Sequence, residues 1–165
     1  MTLYIAWNCA LPVTTGMSLG TSYATGAKVA VQLATPSTTQ VRIVEWGVSF
    51  NGSAGGAPAT CELVQVGTAS TVTAHSTTTV QPIGDNANSS GLTYSTTGTG
   101  YGNGAITSTT TDKVFDAIFL GPTGVYDHQW PLGREPVLVV SKFCQLRINT
   151  AATLTALAYI AFEEC

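Results

Sequence analysis

Charge is what this sequence has least of. Asp, Glu, Lys and Arg make up 9% of its 165 residues, against about a quarter in an ordinary soluble domain. The six cations, Lys28, Arg42, Lys113, Arg134, Lys142 and Arg147, are scattered, and the net charge is −3 with a pI near 5.1. Neutralising a phosphate backbone takes clustered Lys and Arg, so the sequence argues against a nucleic-acid partner. Long apolar runs are missing too. None reaches the roughly 18 residues needed to cross a bilayer, which argues against a membrane partner. The N-terminal stretch has no charged n-region, and Trp7, Asn8 and Pro12 interrupt any apolar core of a signal peptide. The chain therefore reads as made in the cytoplasm, with reduced thiols. Cys9, Cys61, Cys144 and Cys165 include no Cys-x-x-Cys pair, and His75 and His128 do not complete a zinc set in the sequence. No metal or other cofactor is expected. The first three cysteines read as buried thiols among apolar residues. A disulfide is the alternative, chiefly because Cys165 at the terminus could reach a partner chain.

Sustained helical periodicity is absent as well. In its place the chain is rich in Thr, Ser, Asn, Gln and Gly, and 44% of it is hydrophobic. Thr favours extended backbone, and a neutral hydroxyl-rich surface offers little electrostatic resistance to close packing against other protein. Strand patterns recur throughout. Leu3, Ile5, Trp7, Cys9 and Leu11 share one face of 3–11, and Val29, Val31 and Leu33 share one face of 28–34. In 40–50, Val44, Trp46, Val48 and Phe50 oppose Val41 and Ile43, which implies a bulge near Val44 or two covered faces. Further strands are expected at 60–66, 78–81, 113–120, 137–140, 144–149 and 153–163. Both faces of the last are apolar, as in a central strand or one lining a subunit contact. Roughly eight to ten short strands without helices define an all-β fold, a jelly-roll-like β-sandwich forming a single domain over 1–165, with 1–27 as an N-terminal arm or strand extension. Residues 84–112 break the pattern as a long irregular loop. It reads either as a surface excursion or as an arm ordered against a neighbouring subunit, with Tyr94 and Tyr101 as anchors.

Catalytic constellations are hard to find. Asp127-His128 lies near Ser141 and Cys144, but no Gly-x-Ser-x-Gly elbow exists. Among the acids, Asp116 stands in the middle of an apolar strand and is expected to face solvent or an interface. Gly98–Gly102 has no strand-to-helix context for a phosphate loop. Asp85, Asn86 and Asn88 come nearest to a calcium loop without matching one. The expectation is that the chain is not an enzyme. Segment 126–136 (YDHQWPLGREP) instead has the composition of a recognition element: Trp130 is a rigid anchor, Pro131 and Pro136 fix the backbone, and Arg134 and Glu135 offer directed ionic hydrogen bonds.

Three segments, VRIVEWGVSFNG (41–52), QWPLGREP (129–136) and AYIAFEE (158–164), resemble parts of the small proteins that decorate or cement tailed-phage heads. The resemblance spans about residues 28–164, and Cys165 lies outside it. It implies a jelly-roll-like domain, a homotrimer, and attachment to the major capsid protein on the outer surface of the virion. On that basis Trp130, Arg134, Glu135, Tyr126, Tyr94 and Tyr101 are candidates for subunit or capsid contacts. The competing expectation is a carbohydrate- or receptor-binding module of a tail fibre or spike, with Tyr94, Tyr101 and Tyr126 beside polar groups.

Overall fold

The computed structural model describes residues 2–11, 20–53, 55–84, 88–107 and 110–165. Every regular element among them is a strand: β1 (Leu3–Trp7), β2 (Thr21–Tyr23), β3 (Gly26–Ala34), β4 (Val41–Asn51), β5 (Ala59–Val66), β6 (Thr73–Ala74), β7 (Gln81–Pro82), β8 (Gly100–Ala105), β9 (Lys113–Leu120), β10 (Val125–Gln129), β11 (Val137–Leu138), β12 (Phe143–Thr150) and β13 (Leu154–Glu164). They form two antiparallel sheets. The first runs β10-β4-β13-β1-β7, with β11 also on β4 and β2 also on β13; the second runs β6-β8-β3-β12-β5-β9.

Eight of these strands make the roll. Counted in chain order as β1, β3, β4, β5, β9, β10, β12 and β13, the first, eighth, third and sixth form one sheet, and the second, seventh, fourth and fifth form the other. That order is the double Greek key of a jelly roll. The remaining short strands widen the two sheets. Each of β9 and β10 ends its own sheet, and residues 121–124 join them, so the two free edges lie side by side.

The core lies between the sheets. β4 supplies Val41, Ile43, Trp46, Val48 and Phe50; β12 supplies Cys144, Leu146 and Ile148; β13 supplies Leu154, Ala156, Ala158, Ile160 and Phe162. The expected bulge in β4 is present: the register against β13 slips between Ala161 and Phe162, opposite Glu45 and Ile43, leaving Val44 as the extra residue. The slip changes the inward phase, so Ile43 and Trp46 both face the core although they stand three positions apart, an offset that regular alternation would place on opposite faces. Cys61 and Cys144 are buried free thiols, Cys9 is half-buried and Cys165 exposed. Burial pushes the Cys61 thiol up to about 12 and raises Cys144 as well.

Four sequence expectations about strands and loops change. In β1 the buried side chains are Tyr4 and Ala6, while Leu3, Ile5 and Trp7 are half-buried on the outer face. Alternation fixes which residues share a face, not which face is inward. Here Tyr4 stacks on Phe162 at 5.6 Å across the core side. Residues 77–79 form a turn, with Thr79 Oγ1 accepting from Ser76 N at 2.7 Å, and only Gln81–Pro82 pairs as a strand. The 84–112 segment contains β8, paired with β3, and buries Leu92 and Thr99. Segment 126–136 begins as β10, on β4.

Within 84–112, β8 extends the second sheet, Ser90 Oγ and Gly91 N donate to Glu164 Oε1 at the end of β13, and Gly98 and Thr107 are fastened by buried polar groups on the outer face of the second sheet. Gln32 Nε2 donates to Ser70 O at 3.2 Å and Gly98 O at 2.7 Å, while Gln32 Oε1 accepts from Ser70 N at 2.9 Å. Gln145 Nε2 donates to Gln32 Oε1 at 2.7 Å, and Thr107 N donates to Ser70 Oγ at 3.0 Å.

Candidate functional site

The edge formed by β9 and β10 is closed by one carboxylate. Asp116 faces inward, not outward to solvent or an interface as its sequence position suggested. Its Oδ2 accepts from Trp46 Nε1 at 3.1 Å, from the Tyr126 hydroxyl at 2.9 Å and from His128 Nδ1 at 2.5 Å. Its Oδ1 accepts from Ala117 N at 2.9 Å. Burial alone raises the Asp116 carboxyl, but the hydrogen bonds from His128, Tyr126, Trp46 and Ala117 outweigh it and hold the group below its usual value. The carboxylate is therefore ionised near neutral pH and accepts only, so His128 carries its proton on Nδ1. Burial, then the Asp116 charge, pushes the Tyr126 phenol up to about 12. Trp130 stacks on His128 at 4.5 Å and 22°. The result is a strut between sheets, from Asp116 on β9 to Trp46 on β4 and to Tyr126 and His128 on β10.

β10 places alternate side chains on opposite sides. Tyr126 and His128 point to the strut, and Asp127 points to the outer face of the first sheet. Asp127 and His128 thus cannot act together. Cys144 is fully buried on β12, and among the described residues no hydroxyl or thiol bonds His128 Nε2. The described residues also contain no group of three or more His, Cys, Asp or Glu suited to a metal. Asn88 is described, but Asp85 and Asn86 of the calcium-like run lie outside the described residues.

The outer face of the first sheet carries a second arrangement, absent from the sequence reading. Trp7 on β1 sits opposite Tyr159 on β13, with ring centroids 5.1 Å apart. Tyr159 lies over Gly47, its register partner on β4. A Cβ at Gly47 would come within 2.5 Å of Tyr159 Cε1 and closer still to Asp127 Oδ1, so only glycine admits this approach. The Tyr159 hydroxyl meets both Glu45 Oε1 and, at 3.2 Å, Asp127 Oδ1. Burial and these two carboxylates raise the phenol far above its ordinary value. A hollow of about 160 Å³ opens beside them, lined by Trp7, Val48, Ser49, Val125, Asp127, Leu157 and Tyr159.

Beyond Trp130 the chain makes a tight turn. Arg134 N donates to Pro131 O at 2.9 Å, and Gly133 has φ +83°. A left-handed glycine at the third position, after a Leu132 that is not left-handed, is the signature of a type II turn. It holds Leu132 out at 94% exposure, with Arg134 exposed and Glu135 half-buried. The turn is anchored on both sides by β4, through Trp130 N to Val44 O at 3.1 Å and Ile43 N to Pro136 O at 2.9 Å.

Of the candidate contact residues, Tyr126 and Trp130 meet in the strut, and Arg134 and Glu135 follow on the turn. Tyr94 and Tyr101 sit elsewhere. Tyr101 is on β8 beyond β3, at the opposite side of the second sheet from β9, and packs at a tilt against His75 with ring centroids 4.7 Å apart. Tyr94 packs against the core and bridges to Thr99. Exposed large apolar side chains favour the β9–β10 side instead: Val114, Phe119, Val125, Leu132 and Val137 all fall within 114–137, Phe119 at 79% exposure. The sequence did contain a signal for β10: Tyr126, His128 and Trp130 alternate, the spacing of a strand face. No family model, curated protein or solved structure matches this chain.

Proposed function

We propose that this protein is a non-enzymatic structural component of a virion, a decoration protein that binds the major capsid protein on the outer surface of a tailed-phage head as a homotrimer. The observation that carries the reading is the concentration of exposed apolar side chains on the β9–β10 edge of a rigid, sparsely charged jelly roll. Two adjacent free strand edges present unpaired backbone groups to a partner, and exposed Phe119, Val125 and Leu132 supply apolar area there. Large exposed apolar patches mark interaction surfaces. Repeating one patch three times on a symmetric assembly turns modest contacts into lasting attachment. The three segments similar to decoration proteins include this edge's turn. The chain's low net charge fits close packing on a protein shell and gives no basic surface for nucleic acid.

Burying a phenylalanine contributes about 1.5–3 kcal/mol. Phe119→Asp is therefore expected to lower binding to heads lacking the protein at least tenfold, with its thermal melt little changed because Phe119 supports no core contact. Co-sedimentation with purified heads measures this. Unchanged binding of the variant, or no binding by the natural chain, would overturn the reading.

One observation favours a second reading, a carbohydrate- or receptor-binding module of a tail fibre or spike. The Trp7–Tyr159 pair beside Glu45 and Asp127 joins an aromatic platform to two acceptors. That reading requires glycan-array binding lost in Trp7→Ala and location of the protein in tails.

A further inference from the structure

The hollow on the outer face of the first sheet is short of hydrogen-bond donors. A phenol has a single proton, yet the Tyr159 hydroxyl faces both Glu45 Oε1 and Asp127 Oδ1. It can donate to only one of them, and the phenol stays protonated, so two negative charges share one donor. Among the described residues no cation pairs with Glu45 or Asp127. Arg42 pairs with Glu163 at 3.7 Å, Lys142 with Asp112 at 2.6 Å and Arg147 with Glu62 at 3.4 Å. Lys28, Lys113 and Arg134 make no ion pair among the described residues, and of these Arg134 lies exposed on the turn. It stands two residues from Leu132, at 94% the most exposed large apolar side chain among the described residues.

Turn and hollow match in chemistry. The hollow pairs an apolar floor, from Trp7, Val125 and Leu157, with the Asp127 carboxylate on its lining and Glu45 bound beside it to the Tyr159 hydroxyl. The turn offers an apolar tip and a guanidinium with five donors in a fixed fork, suited to carboxylates. We propose that the Pro131–Arg134 turn of one copy seats in this hollow on a second copy, Leu132 on the apolar floor and Arg134 bridging Glu45 and Asp127. This rests on the reading that copies of the chain assemble, and it names the contact. Turn and hollow are different patches, so the contact is heterologous, the kind that closes into a ring when the rotation permits. It accounts for the type II turn, which fixes Leu132 and Arg134 outward, and for Gly47, which leaves room for Tyr159 over β4.

The test is a charge exchange read by analytical ultracentrifugation, with circular dichroism melts to verify folding. Truncating one side of a hydrogen-bonded charge pair at an interface weakens binding by about thirtyfold or more. Arg134→Glu and Asp127→Arg are each expected to weaken self-association at least thirtyfold. The double variant, which restores opposite charges, is expected to recover to within about threefold of the natural chain. Leu132→Ser approaches the contact from the turn alone and is expected to weaken it at least fivefold without touching Tyr159. An assembly unmoved by Arg134→Glu and Leu132→Ser overturns the contact while leaving the decoration reading intact. Reversal variants that dissociate without recovery in the double also overturn it. A natural chain that stays monomeric in solution and on heads overturns both.

Discussion

Gln145→Leu is expected to destabilise the fold by about 3 kcal/mol and to loosen the covering segment before the rest of the sandwich opens. Gln145 is fully buried at the centre of the second sheet, on the face away from the main core. Its amide nitrogen donates to Gln32 Oε1 at 2.7 Å and Ser70 Oγ at 3.2 Å, and its oxygen accepts from Arg147 Nε at 2.9 Å. Leucine fills similar space but removes two donors and one acceptor. Each buried polar group left short of a partner costs about 1–3 kcal/mol, more where it is charged, and Arg147 is 4% exposed. In a domain of this size, about 3 kcal/mol corresponds to roughly 6–12 °C in Tm. Urea melts should show a lower midpoint with an unchanged slope. Hydrogen exchange should accelerate first at Ser70 N, Thr107 N and their neighbours, because they are fastened through this network. Uniform exchange at these positions and in β13 would show that the covering segment does not open as its own unit.

The same network explains why sequence reading missed this layer. β8 reads Gly-Tyr-Gly-Asn-Gly-Ala, with no β-branched residue and no apolar alternation. It is held by its backbone pairing to β3, and the neighbouring segments are held by side chains of Gln32 and Gln145 more than 35 residues away in sequence. Polar side chains at strand positions normally signal solvent, and nothing local distinguishes a glutamine that faces water from one that pairs a crossing backbone. The roll itself was far more legible. β3, β4, β5, β9, β12 and β13 all follow apolar, β-branched runs, and the opposed faces of Ile43 and Trp46 announced the bulge in β4. The proposed contact was half legible. The composition of 129–136 drew notice to Trp130 and Arg134, and the turn between them holds Leu132 and Arg134 outward. Trp7, Glu45, Asp127 and Tyr159 come from four different strands, so only the register brings them together. Asp116 looked exposed because a lone carboxylate in an apolar run usually is. Its partners Trp46 and His128 lie 70 and 12 residues away.

Asp116→Ala is expected to cost about 3–4 kcal/mol and to weaken head binding as well as stability, because the strut fixes the edge that carries Phe119 and the turn. Trp46 is fully buried, and its indole N–H has Asp116 as its hydrogen-bond acceptor at 3.1 Å. Alanine orphans that donor and removes the acceptor for Tyr126, His128 and Ala117. Hydrogen bonds to a charged group contribute about 1.5–3 kcal/mol each in favourable cases, and those sharing one carboxylate do not add fully. The pH dependence separates the carboxylate's charge from its shape. The folded carboxyl lies below its unfolded value of 3.8, so between the two the unfolded chain binds more protons. Its stabilisation is complete above about pH 5 and is lost as pH falls through the folded value. The natural chain should therefore lose stability steeply below about pH 4. Asp116→Asn keeps the size of the side chain without an ionisable group; it should start lower at pH 7 and lose less on acidification. Asp112, lowered mainly by its hydrogen bond from Lys142, titrates in both proteins and cancels in the comparison. Parallel acid curves for the two proteins would mean that the Asp116 charge contributes nothing, and that the sandwich edge is held by packing of Trp46, Tyr126 and Trp130 alone.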